Sequence, residues 1–270
     1  MNGYYENWRI YNHRPCIAKT LKEYENLNIK KCDFEIIERI GSEGTMSVVY
    51  NVNIDGYNFA LKILPIVDKY SIETNEEEIM FAKIMSDNVR DGDCDYFPVV
   101  IDSGYCHHFE YADQNDTWRK LSKEYMESIS NYKDTPINYL ISELGTMDLY
   151  NWIDYYYKEK KLYYFIWNVL QGIKCLQENN IYHGDLHLYN ILIIKRNNCG
   201  EIACIHDFGR SRYILSDNDY LLDYKFFIRT LHDKIKTKLI KEMHNSINTD
   251  WDSIKNKREF IGYIITKYFT

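Results

Sequence analysis

The sequence predicts an α+β fold. Two observations carry that expectation. Three β-rich runs open the ordered pattern of the first half, with one long helical stretch after them. Beyond residue 147, apolar residues recur mainly at helical spacing. The runs "FEIIERIG", "SVVYNVNI" and "YNFALKIL" are rich in β-branched and aromatic residues and are separated by "SEGTM" and by Asp55-Gly56. Asp-Gly between two such runs is a strong hairpin signal because glycine accepts a positive φ, so three consecutive antiparallel strands are expected.

"SIETNEEEIMFAKIMSDN" follows, with Ser71, Thr74 and acidic residues suited to a helix N-terminus and its dipole. "FPVVIDSGYCHHF" and "INYLISELG" read as further strands. Residues 110–136, polar and charged, read as an insertion, and "IAKTLKEYENL" as a short helix in an N-terminal extension. Leu162, Phe165, Ile166, Val169, Leu170, Ile173 and Leu176 trace four turns of one apolar helix face, stopped by Asn179-Asn180. "YNILIIK" and "EIACIHDF" read as short strands around "NNCG", and 219–243 and 251–269 as helices.

Composition narrows the function. The chain has 270 residues, 45% of them hydrophobic, which is ample for a core, and a net charge of −7. That charge argues against a dedicated nucleic-acid binder, which would present a basic face. No run approaches ~18 apolar residues, so no membrane-spanning helix is expected. Seven cysteines, an odd number without framework spacing, and a polar N-terminus read as reduced thiols in a cytoplasmic or otherwise intracellular protein. Many Tyr, Asn, Ile and Lys and few Pro suit an AT-rich genome, as in some large DNA viruses or protists.

The chemistry concentrates in "HGDLHLYN", residues 183–190, and "DFG" from Asp207. Asp185, Asn190 and Asp207 are each, alone, ordinary turn residues. Here a helix ends before His183, a strand follows Asn190, and a second strand leads into Asp207. Asn190 and Asp207 carry hard oxygens suited to Mg²⁺. Lys62, within the strand "FALKIL", is costly to bury unless paired, or else snorkels to solvent. Three glutamates, 76 to 78, are candidate partners, or together a solvated first turn. Glu77 has Met80, Phe81 and Ile84 at three, four and seven positions onward and is the expected partner, with Glu76 as runner-up. Cys106-His107-His108 and the group Cys199, Cys204 and His206 lack the second ligand pair of a zinc site.

These segments together resemble the protein kinase-like superfamily over about residues 34–232. The resemblance implies a bilobal kinase fold: an antiparallel-sheet N-lobe with one helix, joined by a hinge to a mostly helical C-lobe. The boundaries would be 1–33 for the extension, 34–145 for the N-lobe and hinge, and 146–270 for the C-lobe. It implies ATP and Mg²⁺ as cofactors, with the nucleotide between the lobes under "GSEGTMSVVY", which fits the Gly-rich loop in part: Gly44, Ser47 and Val49 stand at its second glycine, third glycine and valine, and Ser42 falls on the first glycine with Gly41 beside it. Ala60 would be among the nucleotide-binding residues, and Glu143 and Leu144 would bind the base through the hinge backbone. Lys62, held by Glu77, would take the phosphates; Asn190 and Asp207 the metal; Asp185 the attacking hydroxyl.

The departures are informative. Gly184 replaces the usual arginine and His187 the usual lysine, as in the "HGDLH" of aminoglycoside and choline-type phosphotransferases. No "APE" follows Asp207, and Asp223 is placed like the aspartate that supports the catalytic loop. A serine/threonine protein kinase acting on a protein substrate is the leading expectation. The alternatives are a small-molecule kinase and a pseudokinase scaffold.

Overall fold

The protein is described here by a computed structural model covering residues 14–40, 47–107, 136–196 and 200–269. The chain forms two compact units, 21–83 with 98–144, and 1–20 with 84–97 and 145–270. The first is built on a five-stranded antiparallel sheet. Its strands are β1 (Glu35–Ile40), β2 (Val48–Ile54), β3 (Tyr57–Pro65), β4 (Val100–Cys106) and β5 (Ile137–Glu143), ordered β1-β2-β3-β5-β4. The expected β2–β3 hairpin turns at Asp55 and Gly56, with φ of 52° and 85°, and the Asn53 side chain accepts the Gly56 N–H. The inward faces of these strands form an apolar core of Tyr50, Val52, Phe59, Leu61, Ile63, Tyr139 and Ile141. Period-two alternation then sends Ala60 and Lys62 to the opposite face. Register places Val49 across from Lys62, which stands across from Leu140.

Helix α1 (Arg14–Tyr24) stops earlier than its sequence pattern suggests. Helix α2 (Lys69–Asp91) starts with Asp68 and Ser71 exchanging bonds: the Ser71 N–H donates to Asp68 Oδ1 at 2.7 Å, and Ser71 Oγ accepts from the Val67 and Asp68 N–H groups at 3.0 Å. One turn on, the Asn75 amide donates to the Leu64 and Pro65 carbonyls, fixing the helix against the end of β3.

The second unit holds α3 (Leu149–Tyr156), α4 (Glu159–Glu178), α5 (Asp219–Lys234), α6 (Lys238–Thr249) and α7 (Phe260–Phe269). It also holds two small sheets: β6 (Met147–Asp148) with β8 (Ile191–Arg196) and β9 (Gly200–Ile205), and β7 (Ile181–Tyr182) with β10 (Arg212–Tyr213). All seven apolar positions read along α4 are fully buried. The single helix expected over 219–243 is two. Ile235 takes an extended φ/ψ and Thr237 caps a new helix by accepting the Ile240 N–H. The helix expected over 251–269 starts only at Phe260, after a 3-10 turn at Lys257–Glu259. Among the described residues no helix is long and apolar enough to cross a membrane.

The reading of all cysteines as reduced thiols is corrected. Cys32 is bonded to Cys106 and Cys94 to Cys175, each pair within one unit and separated in sequence by 74 and 81 residues. Irregular spacing hid them, because each bond joins segments that only the tertiary fold brings together.

Candidate active site

In the sheet unit the cationic candidate is Lys62. Its ammonium lies 2.5 Å from a carboxylate oxygen of Glu78, both side chains being largely buried. The expected partner Glu77, and the runner-up Glu76, are exposed. The reason is helical phase. The buried stripe of α2 runs Ser71, Glu78, Phe81, Ala82, Met85, Val89, whereas Met80, used to favour Glu77, is 38% exposed. Burying an ammonium without a counter-charge would cost several kcal/mol, so the pair is what lets a lysine occupy this face. Val49 and Ala60 share that face with Lys62 by register. Ser47, just before β2, is half-buried; Gly41, Ser42 and Gly44 lie outside the described residues. The insertion at 110–136 also falls outside them, save for Pro136.

At the end of β5, Glu143 is clamped to Val99. Its N–H donates to the Val99 carbonyl at 3.0 Å, and its carboxylate accepts the Val99 N–H at 2.8 Å. Its side chain is therefore a brace for the start of β4. Leu144 follows, half-buried.

In the helical unit, Asp185, His187, Asn190 and Asp207 sit on two loops tied to one another. The first lies between β7 and β8, the second after β9. The tie is His183, fully buried between them. Its Nδ1 accepts the Asp185 N–H at 3.3 Å and its Nε2–H donates to the His206 carbonyl at 3.0 Å. Those two bonds demand one neutral tautomer. Burial agrees, lowering the imidazole to about 4. The His206 N–H donates in turn to the Asn190 carbonyl at 3.1 Å, closing the circuit.

Beneath the loop stands Asp223 of α5, 3% exposed. One carboxylate oxygen accepts the His183 N–H at 2.8 Å and the other the Gly184 N–H at 3.1 Å. Burial raises this carboxyl to about 7 against the pull of the two backbone bonds. Gly184 has φ +83°, a region L-residues rarely adopt, and a Cβ there would meet the Arg210 carbonyl oxygen at 2.4 Å. A side chain at this position would strain the backbone and displace that carbonyl.

The Asn190 amide nitrogen donates to the Asp185 carbonyl at 2.9 Å, which leaves its amide oxygen as the candidate ligand atom. Asp207 takes φ +67°, uncommon for any residue but glycine, and its Oδ1 accepts the Gly209 N–H at 3.4 Å. Held this way, Asn190 and Asp207 offer the hard oxygens that Mg²⁺ prefers, so the donor set fits that ion. His187 presents Nε2 to Asp185 Oδ2 at 3.8 Å and packs near Tyr189 and Phe226.

Glu78 and His183 are the residues that sequence reasoning did not assign. Glu78 had a signal in the Phe81, Ala82, Met85 stripe. His183 had none, because its role is defined by two backbone groups. Over residues 34–229 the sequence matches the model of one family, described as protein tyrosine and serine/threonine kinase.

Proposed function

The chain belongs to the protein tyrosine and serine/threonine kinase family, and from that premise we propose that it transfers the γ-phosphate of ATP, with Mg²⁺, to a serine or threonine hydroxyl of a protein. The observation that supports this most is the circuit through His183. It ties the loop of Asp185 and Asn190 to the loop of Asp207, through bonds from the His183 ring to backbone groups of both and from the Asn190 amide nitrogen to the Asp185 carbonyl.

In this reading Lys62 takes the α- and β-phosphates while Glu78 holds its ammonium in place. Val49 and Ala60 supply the apolar surface for the base. A base bound along 143–145 does without the Glu143 N–H, which Val99 already occupies. Asn190 and Asp207 hold Mg²⁺, whose chemistry is to neutralise charge on the phosphates. Asp185 orients the acceptor hydroxyl and takes its proton, a role worth ~10²–10⁴ in rate. His187 flanks Asp185 and donates to the transferring phosphate's oxygens.

A second reading, transfer to a small hydroxyl compound, draws on the short span from Asp207 to α5, which begins at Asp219. Incubation with labelled ATP separates the two. Label entering generic protein substrates supports the first reading; label entering only aminoglycoside- or choline-like acceptors supports the second. No transfer and no Mg-ATP-dependent rise in melting temperature removes both and leaves a scaffold.

A further inference from the structure

Gly184 and Arg210 are matched across the two site loops. The missing Cβ at 184 opens room into which the Arg210 backbone moves, its carbonyl carbon 3.2 Å from where that Cβ would be. The backbone so placed brings the Arg210 Nε to 3.6 Å from Asp185 Oδ2. Arg212, two residues on, is committed elsewhere. It makes two bonds to Asp219, at 3.0 and 2.9 Å, and lies over the Tyr182 ring. Among the described residues Arg210 is thus the arginine that reaches the Asp185 carboxylate, and it arrives from the segment after Phe208.

Resting on the kinase reading above, we propose that Arg210 is a positioning residue that holds the Asp185 carboxylate in its working orientation, and that Gly184 is required to admit it. Both the arginine and His187 approach the same oxygen, Oδ2. Contacts on Oδ2 leave Oδ1 as the oxygen that would meet the acceptor. Because the cation is supplied within the chain, the orientation of Asp185 needs no phosphate on the short segment that follows.

The test is steady-state kinetics on phosphatase-treated protein. Arg210 is mostly exposed, so its pull on Asp185 is modest, and Arg210→Gln should lower kcat about fivefold. KM for ATP should not change, because the residue acts through Asp185 rather than on the nucleotide. Arg210→Lys should restore part of the loss. In a Gly184→Ala background, where the added Cβ displaces the Arg210 backbone, Arg210→Gln should cost nothing further. Unchanged or faster turnover in Arg210→Gln, a raised KM for ATP with kcat intact, or fully additive losses would each overturn the proposal while leaving the kinase reading standing. A wild-type protein that transfers no phosphate to any acceptor overturns both.

Discussion

Asp223 braces the backbone at His183 and Gly184 in the candidate site, and removing it gives a sharp expectation. In Asp223→Ala the N–H groups of His183 and Gly184 lose their acceptor, the first buried and the second partly exposed. The orphaned buried donor of His183 costs about 1–3 kcal/mol, and Gly184 adds less because water can reach it. The cost depends on pH in a defined direction. Folding raises the Asp223 carboxyl from 3.8 to about 7, so the folded chain holds this proton more tightly than the unfolded one. Its contribution to stability is full below about pH 3.8 and is lost as pH rises through about 7. The deficit of Asp223→Ala relative to wild type should therefore be larger at pH 5 than at pH 8. Urea unfolding at the two pH values measures the total. Hydrogen exchange at the His183 and Gly184 amides measures the local part, which should speed up about tenfold or more. A deficit that grows with pH, or amides that keep wild-type protection, would refute the reasoning.

Three further outcomes follow from the same geometry. Glu78→Gln should abolish most transfer activity and cost about 1–3 kcal/mol by removing the carboxylate charge paired with the Lys62 ammonium, whereas Glu77→Gln on the exposed face should behave as wild type in both assays. Burial lowers His183 from 6.5 to about 4, so its contribution to stability is full above about pH 6.5 and lost as pH falls through about 4; the stability gap between wild type and His183→Gln should narrow over that range in calorimetry. Asp207→Asn should raise the Mg²⁺ concentration for half-maximal transfer about tenfold or more, measured by titrating Mg²⁺ at fixed ATP.

Much of this architecture was legible because it rests on local patterns. The hairpin at Asp55-Gly56, the apolar face of α4 and the strands around Asn190 and Asp207 follow from turn chemistry and periodicity. Helix α2 was also legible, but its phase was not. Choosing among three adjacent glutamates needed the direction in which Asn75 and Ser71 fix the helix, and that depends on β3. The break between α5 and α6 was missed because the apolar pattern continues through Ile235 while the backbone does not. The two disulfides were out of reach for a different reason: Cys32 meets Cys106, and Cys94 meets Cys175, only once distant segments have packed. In the candidate site, the place of Asp223 under the loop was legible only through the family resemblance. The tie through His183 was not legible, since it acts on backbone N–H and C=O groups that leave no trace in side-chain identity.

The central claim is that Asp185 positions a hydroxyl for phosphoryl transfer while the rest of the site binds Mg-ATP without it. Labelled-phosphate transfer by wild type and Asp185→Asn, with melting temperature followed in parallel with and without Mg-ATP, tests it most directly. The account predicts a loss of ~10²-fold or more in transfer rate, with the Mg-ATP-dependent rise in melting temperature preserved. Transfer at the wild-type rate by Asp185→Asn would contradict it.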